Sequence, residues 1–314
     1  LKDALAQIGV ALDVVAISPY KGAFDQFSRA DISPEGREQL EWLIDSRYEQ
    51  LIAGIAAGRQ RSADDVRRLI DTAPHIDTDA LAAGYVDGVI HEEGLYQHLG
   101  SQHVIPYAEA RKRLLIPPIK PPSDKYIAVL KVTGLMLPGE SGSPPIDLPI
   151  PFIGGERAGD VTVVQQVRTL MKDEQAAAVV LFIDSGGGAA IAAEAMTSAL
   201  EELAKTRPLV VYMNAVAASG GYYIATPAHY IVAQPGTITG SIGVVTAKPV
   251  TGGLRDLLRV KAVELTRGAN AAIYADSRPF TETQRAQVRR SIEASYARFI
   301  ERVARGRHLS LEAV

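Results

Sequence analysis

The chain has 314 residues, 47% hydrophobic and 22% charged, with a net charge of −3 and no cysteine. This describes an ordinary globular chain long enough for about two domains, not a disordered or fibrous one. It excludes a disulfide framework, a thiol nucleophile and thiolate metal sites. With no run of lysines or arginines it argues against a nucleic-acid groove, and the longest basic cluster, Arg111-Lys112-Arg113, reads as a solvated helix face.

Leu1 opens directly on "LKDALAQIGVALDVVAI", the end of an amphipathic helix followed by a buried strand. There is no starting methionine or signal-like leader, and no apolar run approaches the roughly 18 to 20 residues that span a bilayer. The chain is therefore expected to be a piece of something longer. After the strand, "SPYKGAF" places Lys21 in a loop beside Gly22 and Ala23.

Residues 33–66, "SPEGREQLEWLIDSRYEQLIAGIAAGRQRSADDV", align without gaps onto 281–314, "TETQRAQVRRSIEASYARFIERVARGRHLSLEAV", with ten of 34 pairs identical. The opening segment also resembles Leu254 to Thr266 in the same helix-then-strand order. This internal repeat predicts two copies of one unit, the first lacking its beginning and the second its end. The first copy continues through "LIDTAPHIDTDALAAGYVDGVI", read as two helices with a glycine stop at Gly84 and a short strand. Four prolines in "IPPIKPPSDK" disfavour helix and central strand alike. The expected organisation is thus 1–105 for the C-terminal part of the first repeat, a linker at 106–124, and 125–314 for the second repeat.

In the second repeat, "KYIAVLKVTG" and "AAAVVLFID" read as strands buried on both faces, followed by "LVVYMN", "HYIVAQ" and "SIGVV". Helical patterns at 160–173, 189–205 and 219–227 fall between several of them. Such alternation predicts an α/β fold of βαβ units around a largely parallel sheet, with chemistry beyond the carboxyl ends of the strands.

Two loops lie at such ends. "DSGGGAA" at 184–190 joins a strand to a helix, and its glycines allow bare N–H groups to face a ligand, or simply a tight turn. It lacks the Lys-Ser/Thr of a phosphate loop. In "NAVAASGGYY", Ser219 has small neighbours that leave room for a substrate carbonyl, and the N–H of Gly220 could join that of Gly187 or Gly188 in holding an oxyanion. Ser219 is either this nucleophile or the N-cap of the following helix.

A serine nucleophile needs a base. His229 lies ten residues after Ser219 across the same helix, while His75, His91, His98 and His103 crowd the first repeat and His308 a late charged helix. None is followed by an obvious orienting carboxylate, so a Ser-His-Asp triad has no support. A lysine kept from water can serve instead, and Lys21 has the apolar, small-residue setting this needs. In the second repeat its place is held by Ala271 or Asn270.

The segments "AVAASGGYYIA", "TITGSIGV" and "ISPYKGAFDQF", the last followed by "ISPEGRE", resemble signal peptide peptidase A, the bacterial serine/lysine-dyad peptidases in their long two-repeat form. The resemblance covers essentially the whole chain. It implies tandem crotonase/Clp-protease-like spiral domains, with Ser219 as nucleophile, Lys21 as general base and Ser241 helping to hold the lysine amine; the plain alternative for Ser241 is a turn residue at a strand start. It matches Gly187, Gly188 and Gly220 to the oxyanion region. The family loop usually reads Asp-Ser-Pro-Gly-Gly-Ser, so Gly186 and Ala189 are departures that put the rigidity of that hole in question. Further implications are peptide substrates such as cleaved signal peptides, a homo-oligomer, a membrane anchor in the full-length protein that this chain lacks, and catalytic domains on the extracytoplasmic side of a bacterial membrane. No metal or organic cofactor and no nucleic acid is called for. A crotonase-like acyl-CoA enzyme, with a carboxylate as base, and a non-catalytic scaffold are the alternatives.

Overall fold

The structure, a computed structural model, describes residues 1–101, 104–114, 124–143, 155–268 and 270–314. Contacts divide it into two compact units, one formed by 1–43 with 125–314 and the other by 44–124.

The first unit opens with α1 (Lys2–Gln7), β1 (Ala11–Ile17) and the single turn α2 (Asp25–Ser28), and takes in the start of α3 (Pro34–Arg59). The second unit holds the rest of α3, then α4 (Ala63–Asp71), α5 (Asp77–Ala82), α6 (Leu95–Leu99) and α7 (Tyr107–Leu114). Ser62 caps α4 by accepting the Asp65 N–H, as a serine before an acidic first turn should. Gly84 ends its helical segment at φ 72°, but the strand expected beyond it does not form. Of the linker expected at 106–124, α7 occupies the start, and 115–123 lie outside the described residues.

The chain then returns to the first unit with β2 (Tyr126–Thr133), the short β3 (Leu135–Leu137) and β4 (Arg157–Gly159), α8 (Asp160–Lys172), β5 (Ala176–Ser185), α9 (Ala190–Ala204) and β6 (Leu209–Ala218). There follow α10 (Gly220–Tyr223), β7 (Tyr230–Ala233), β8 (Ile238–Gly240), β9 (Val244–Val250), α11 (Gly252–Leu257) and α12 (Glu282–Arg307). The main sheet is parallel in the order β2-β5-β6-β7, with β8 paired to the end of β6. This is the α/β architecture the alternation predicts. One detail differs: the strands are not buried on both faces. In β2, Ala128, Leu130 and Val132 enter the core, whereas Ile127 and Val129 are exposed. Side chains of α8, α9, α10 and α12 pack with the buried face in one apolar cluster.

β1 lies away from this sheet. It runs antiparallel to β9 through seven paired positions, from Ala11 with Val250 to Ile17 with Val244. Val15 packs with Phe280, Val288 and Ile292 in a second, smaller cluster. Contacts thus group the lysine-bearing segment, within 1–43, with residues 125–314 and not with 44–124. The matching stretch after α11 forms no strand, and Val263 and Leu265 are exposed.

The helices α3 and α12 are each 26 residues long and begin at aligned positions. Their surroundings differ. A Cβ on Gly306 would stand 2.1 Å from the Thr226 carbonyl oxygen, whereas one on the aligned Gly58 would meet nothing within 4 Å. Gly306→Ala should therefore destabilise by about 1–3 kcal/mol through overpacking, and Gly58→Ala should be neutral or stabilise by up to about 1 kcal/mol. Thermal denaturation of the two variants checks the contrast.

Candidate active site

The site forms where β5, β6 and β8 end. Small residues carry β6 to Ala218, and the chain turns at Ser219, held at φ 52° and ψ −118°. That conformation is strained for a residue with a side chain and persists only where neighbours enforce it. Here the Ser219 N–H donates to the Gly240 carbonyl at 2.9 Å, extending the β6–β8 pairing. The predicted helix at 219–227 is the single turn α10, and the Ser219 hydroxyl does not cap it. Among the described residues that hydroxyl makes no hydrogen bond, so the capping alternative does not hold.

Lys21 meets the next residue, Ser241. β1 ends at Ile17, and a turn at Ser18, with φ 80°, closes when the Lys21 N–H donates to the Ser18 carbonyl at 3.2 Å. The side chain is 9% exposed. Its stem passes Gly243, where a Cβ would lie 3.2 Å from the lysine Cδ; the bare glycine makes room for it. The Nζ donates to the Ser241 carbonyl at 2.8 Å and to the Ser241 hydroxyl at 2.9 Å. Burial, with no compensating carboxylate, pulls the amine down from 10.5 to about 8. About half of it is then neutral at pH 8. A neutral amine has two N–H groups and one lone pair, and Ser241 accepts from both N–H groups.

The glycine loop comes next. Ser185 is buried, donates to the Gly134 carbonyl at 2.6 Å and accepts the Gly187 N–H at 3.1 Å. Met136 of β3 donates its N–H to the Gly187 carbonyl at 2.9 Å and accepts the Ala189 N–H at 2.8 Å. The loop is therefore zipped to β3 despite lacking proline at 186. Of the three predicted oxyanion donors, Gly187 is already spent on Ser185. The N–H groups of Gly188 and Gly220 donate to nothing among the described residues, and a Cβ on Gly220 would lie 3.3 Å from the Gly188 nitrogen. Two free donors thus sit together beside Ser219.

Asp184 fixes the approach to this point, a role the sequence reading passed over. Its carboxylate accepts from Asn214 Nδ2 at 2.6 Å and the Val216 N–H at 3.2 Å, where the β5–β6 register shifts. The histidines stand elsewhere. His229 Nδ1 accepts the Leu209 N–H at 3.1 Å, at the opposite end of the ten-residue β6, about 30 Å of strand from Ser219. His75 bonds the Leu69 carbonyl in the other unit, with His91 and His98 in that unit too, and His103 lies outside the described residues.

A buried amine, a free hydroxyl on strained backbone and two unpaired amide donors stand at the strand ends of an α/β frame. The sequence profile of peptidase family S49 matches residues 1–104 and 201–314, and the chain belongs to that family. It is 28% identical to "Serine protease SPPA, chloroplastic" of Arabidopsis thaliana, over 98% of this chain and 46% of that protein. It is 30% identical to "Protease 4" of Salmonella typhi, over 100% of this chain and 51% of that protein. The chain spans about half the length of these curated relatives. Among solved structures, a ClpP1 mutant from Listeria monocytogenes aligns with 59% of this chain and 75% of its own at 14% identity and a TM-score of 0.32, too loose a match to argue from.

The loop glycines separate by position. Gly186 has open space at its Cβ, whereas a Cβ on Gly188 would stand 2.1 Å from the Met136 carbonyl oxygen. Gly186→Ala should keep the fold and gain about 0.4–1 kcal/mol. Gly188→Ala must part the loop from β3 and should cost 10²-fold or more in turnover, roughly the loss of one oxyanion donor. Denaturation and steady-state kinetics on the pair decide it.

Proposed function

We propose that this site performs serine endopeptidase chemistry through a Ser219/Lys21 dyad, and the observation that carries the reading is the buried Lys21 amine held by Ser241, the residue after the Gly240 whose carbonyl accepts the Ser219 N–H. The lone pair of neutral Lys21 takes the Ser219 proton as Oγ attacks the peptide carbonyl. The developing oxyanion accepts hydrogen bonds from the Gly188 and Gly220 N–H groups. The Lys21 ammonium then gives its proton to the departing amine, leaving an acyl-serine. Water enters, Lys21 takes a proton from it as it attacks the ester, and the Lys21 ammonium returns that proton to the departing Ser219 Oγ as the acid is released.

Further parts of the proposal rest on the family resemblance. The fold is a tandem Clp-protease-like spiral of two repeats, and the substrates are cleaved signal peptides or other unfolded, membrane-derived peptides. The whole protein assembles as a homo-oligomer, anchored in a bacterial membrane with its catalytic domains on the extracytoplasmic side.

Ser219→Ala and Lys21→Ala should each lower kcat on an unfolded peptide by about 10³-fold or more while the protein stays folded. Because only the neutral amine can act, kcat/KM should climb with pH through about 8. Retained turnover in folded Lys21→Ala would remove the dyad.

A further inference from the structure

Lys21 reaches Ser241 at the end of an arm, β1, and what holds that arm is not part of the site. β1 is paired along β9 and, among the described residues, along no other strand. Midway along it lies Asp13, a carboxylate only 8% exposed. Its Oδ2 accepts the Phe280 N–H at 2.7 Å, and its Oδ1 accepts from the Arg285 guanidinium of α12. Arg285 also donates to the Val14 carbonyl at 3.2 Å, so one guanidinium grips both the side chain and the backbone of β1.

Directly opposite Asp13 in the ladder is Lys248, 2% exposed. Its ammonium lies 4.2 Å from the centre of the Phe280 ring and donates to the Ile273 carbonyl at 3.1 Å. Burial lowers its pKa, Asp13 acts against that, and Arg278 and Glu264 contribute smaller opposing effects. Asp13 is thus the buried anion between two cations, Arg285 and Lys248, at the junction of β1, β9, α12 and the segment before α12.

A buried charge with this many partners is costly to disturb, because removing it leaves both cations uncompensated. Its partners are 235 to 272 positions away in the chain, so it joins the arm to the serine-bearing part of the unit and to nothing local. We infer that Asp13 is a positioning residue for the base: its bonds to Arg285 and Phe280 fix β1 on β9 and thereby hold Lys21 against Ser241. This rests on the Ser219/Lys21 reading. With Asp13 neutralised, β1 loosens, water reaches the amine, and more of it is charged at any given pH.

The test uses Asp13→Asn in the whole protein, with a peptide substrate. The expected result is a folded variant with kcat lowered about tenfold, KM within about twofold, and the rise of kcat/KM displaced upward by about one pH unit. Arg285→Lys should shift both quantities in the same direction by less, and it provides the reading if Asp13→Asn does not fold. A role in stability alone would lower the melting temperature and leave kcat and the pH profile as they were; that result in either folded variant overturns the inference. Lys21→Ala measured alongside separates the two ideas. If it is inactive while Asp13→Asn matches the parent, only the anchor falls; if it is active, the dyad falls first.

Discussion

The account depends on keeping one ammonium dry. A lysine in water is almost wholly charged at neutral pH and has no lone pair to offer. Here the amine is enclosed, and the Ser241 carbonyl and hydroxyl accept its hydrogen bonds without adding a negative charge that would hold the proton on. Ser241 has φ 51°, and at Gly243, two residues on, a Cβ would crowd the lysine stem at 3.2 Å. The departure from regular strand between β8 and β9 is what receives the Lys21 amine.

The same economy governs the glycine loop. Four hydrogen bonds, two through Ser185 Oγ and two through the Met136 backbone, fix a segment whose backbone would otherwise be free to move. Fixing it spends the Gly187 N–H and leaves those of Gly188 and Gly220 close together and, among the described residues, without acceptors. Preorganised donors of this kind are effective because they need no rearrangement when charge develops. Their position depends on the bonds behind them as much as on the glycines.

Much of this was legible in the sequence. Alternating apolar strands and helices gave the parallel sheet, and small residues around Ser219 and Lys21 marked both as candidates. What was hidden is non-local. The β1–β9 ladder joins residues more than two hundred positions apart, and hydrophobic periodicity says that a strand is half buried without saying against what. The aligned helices make the point: Leu40, Ile44 and Leu51 of α3 are exposed, whereas Val288, Ile292 and Phe299 at the matching places in α12 are buried. Similar patterns met different neighbours. Spacing also cannot show which of three glycine N–H groups is already taken, and β3 is too short for any periodicity to reveal Met136.

The most direct measurement is a titration of the Lys21 amine itself, followed by nitrogen-detected NMR in the folded protein with Ser219 intact. The account requires a midpoint near 8, well below the ordinary lysine value of 10.5. A midpoint at the ordinary value, with the side chain mobile and solvated, would contradict it.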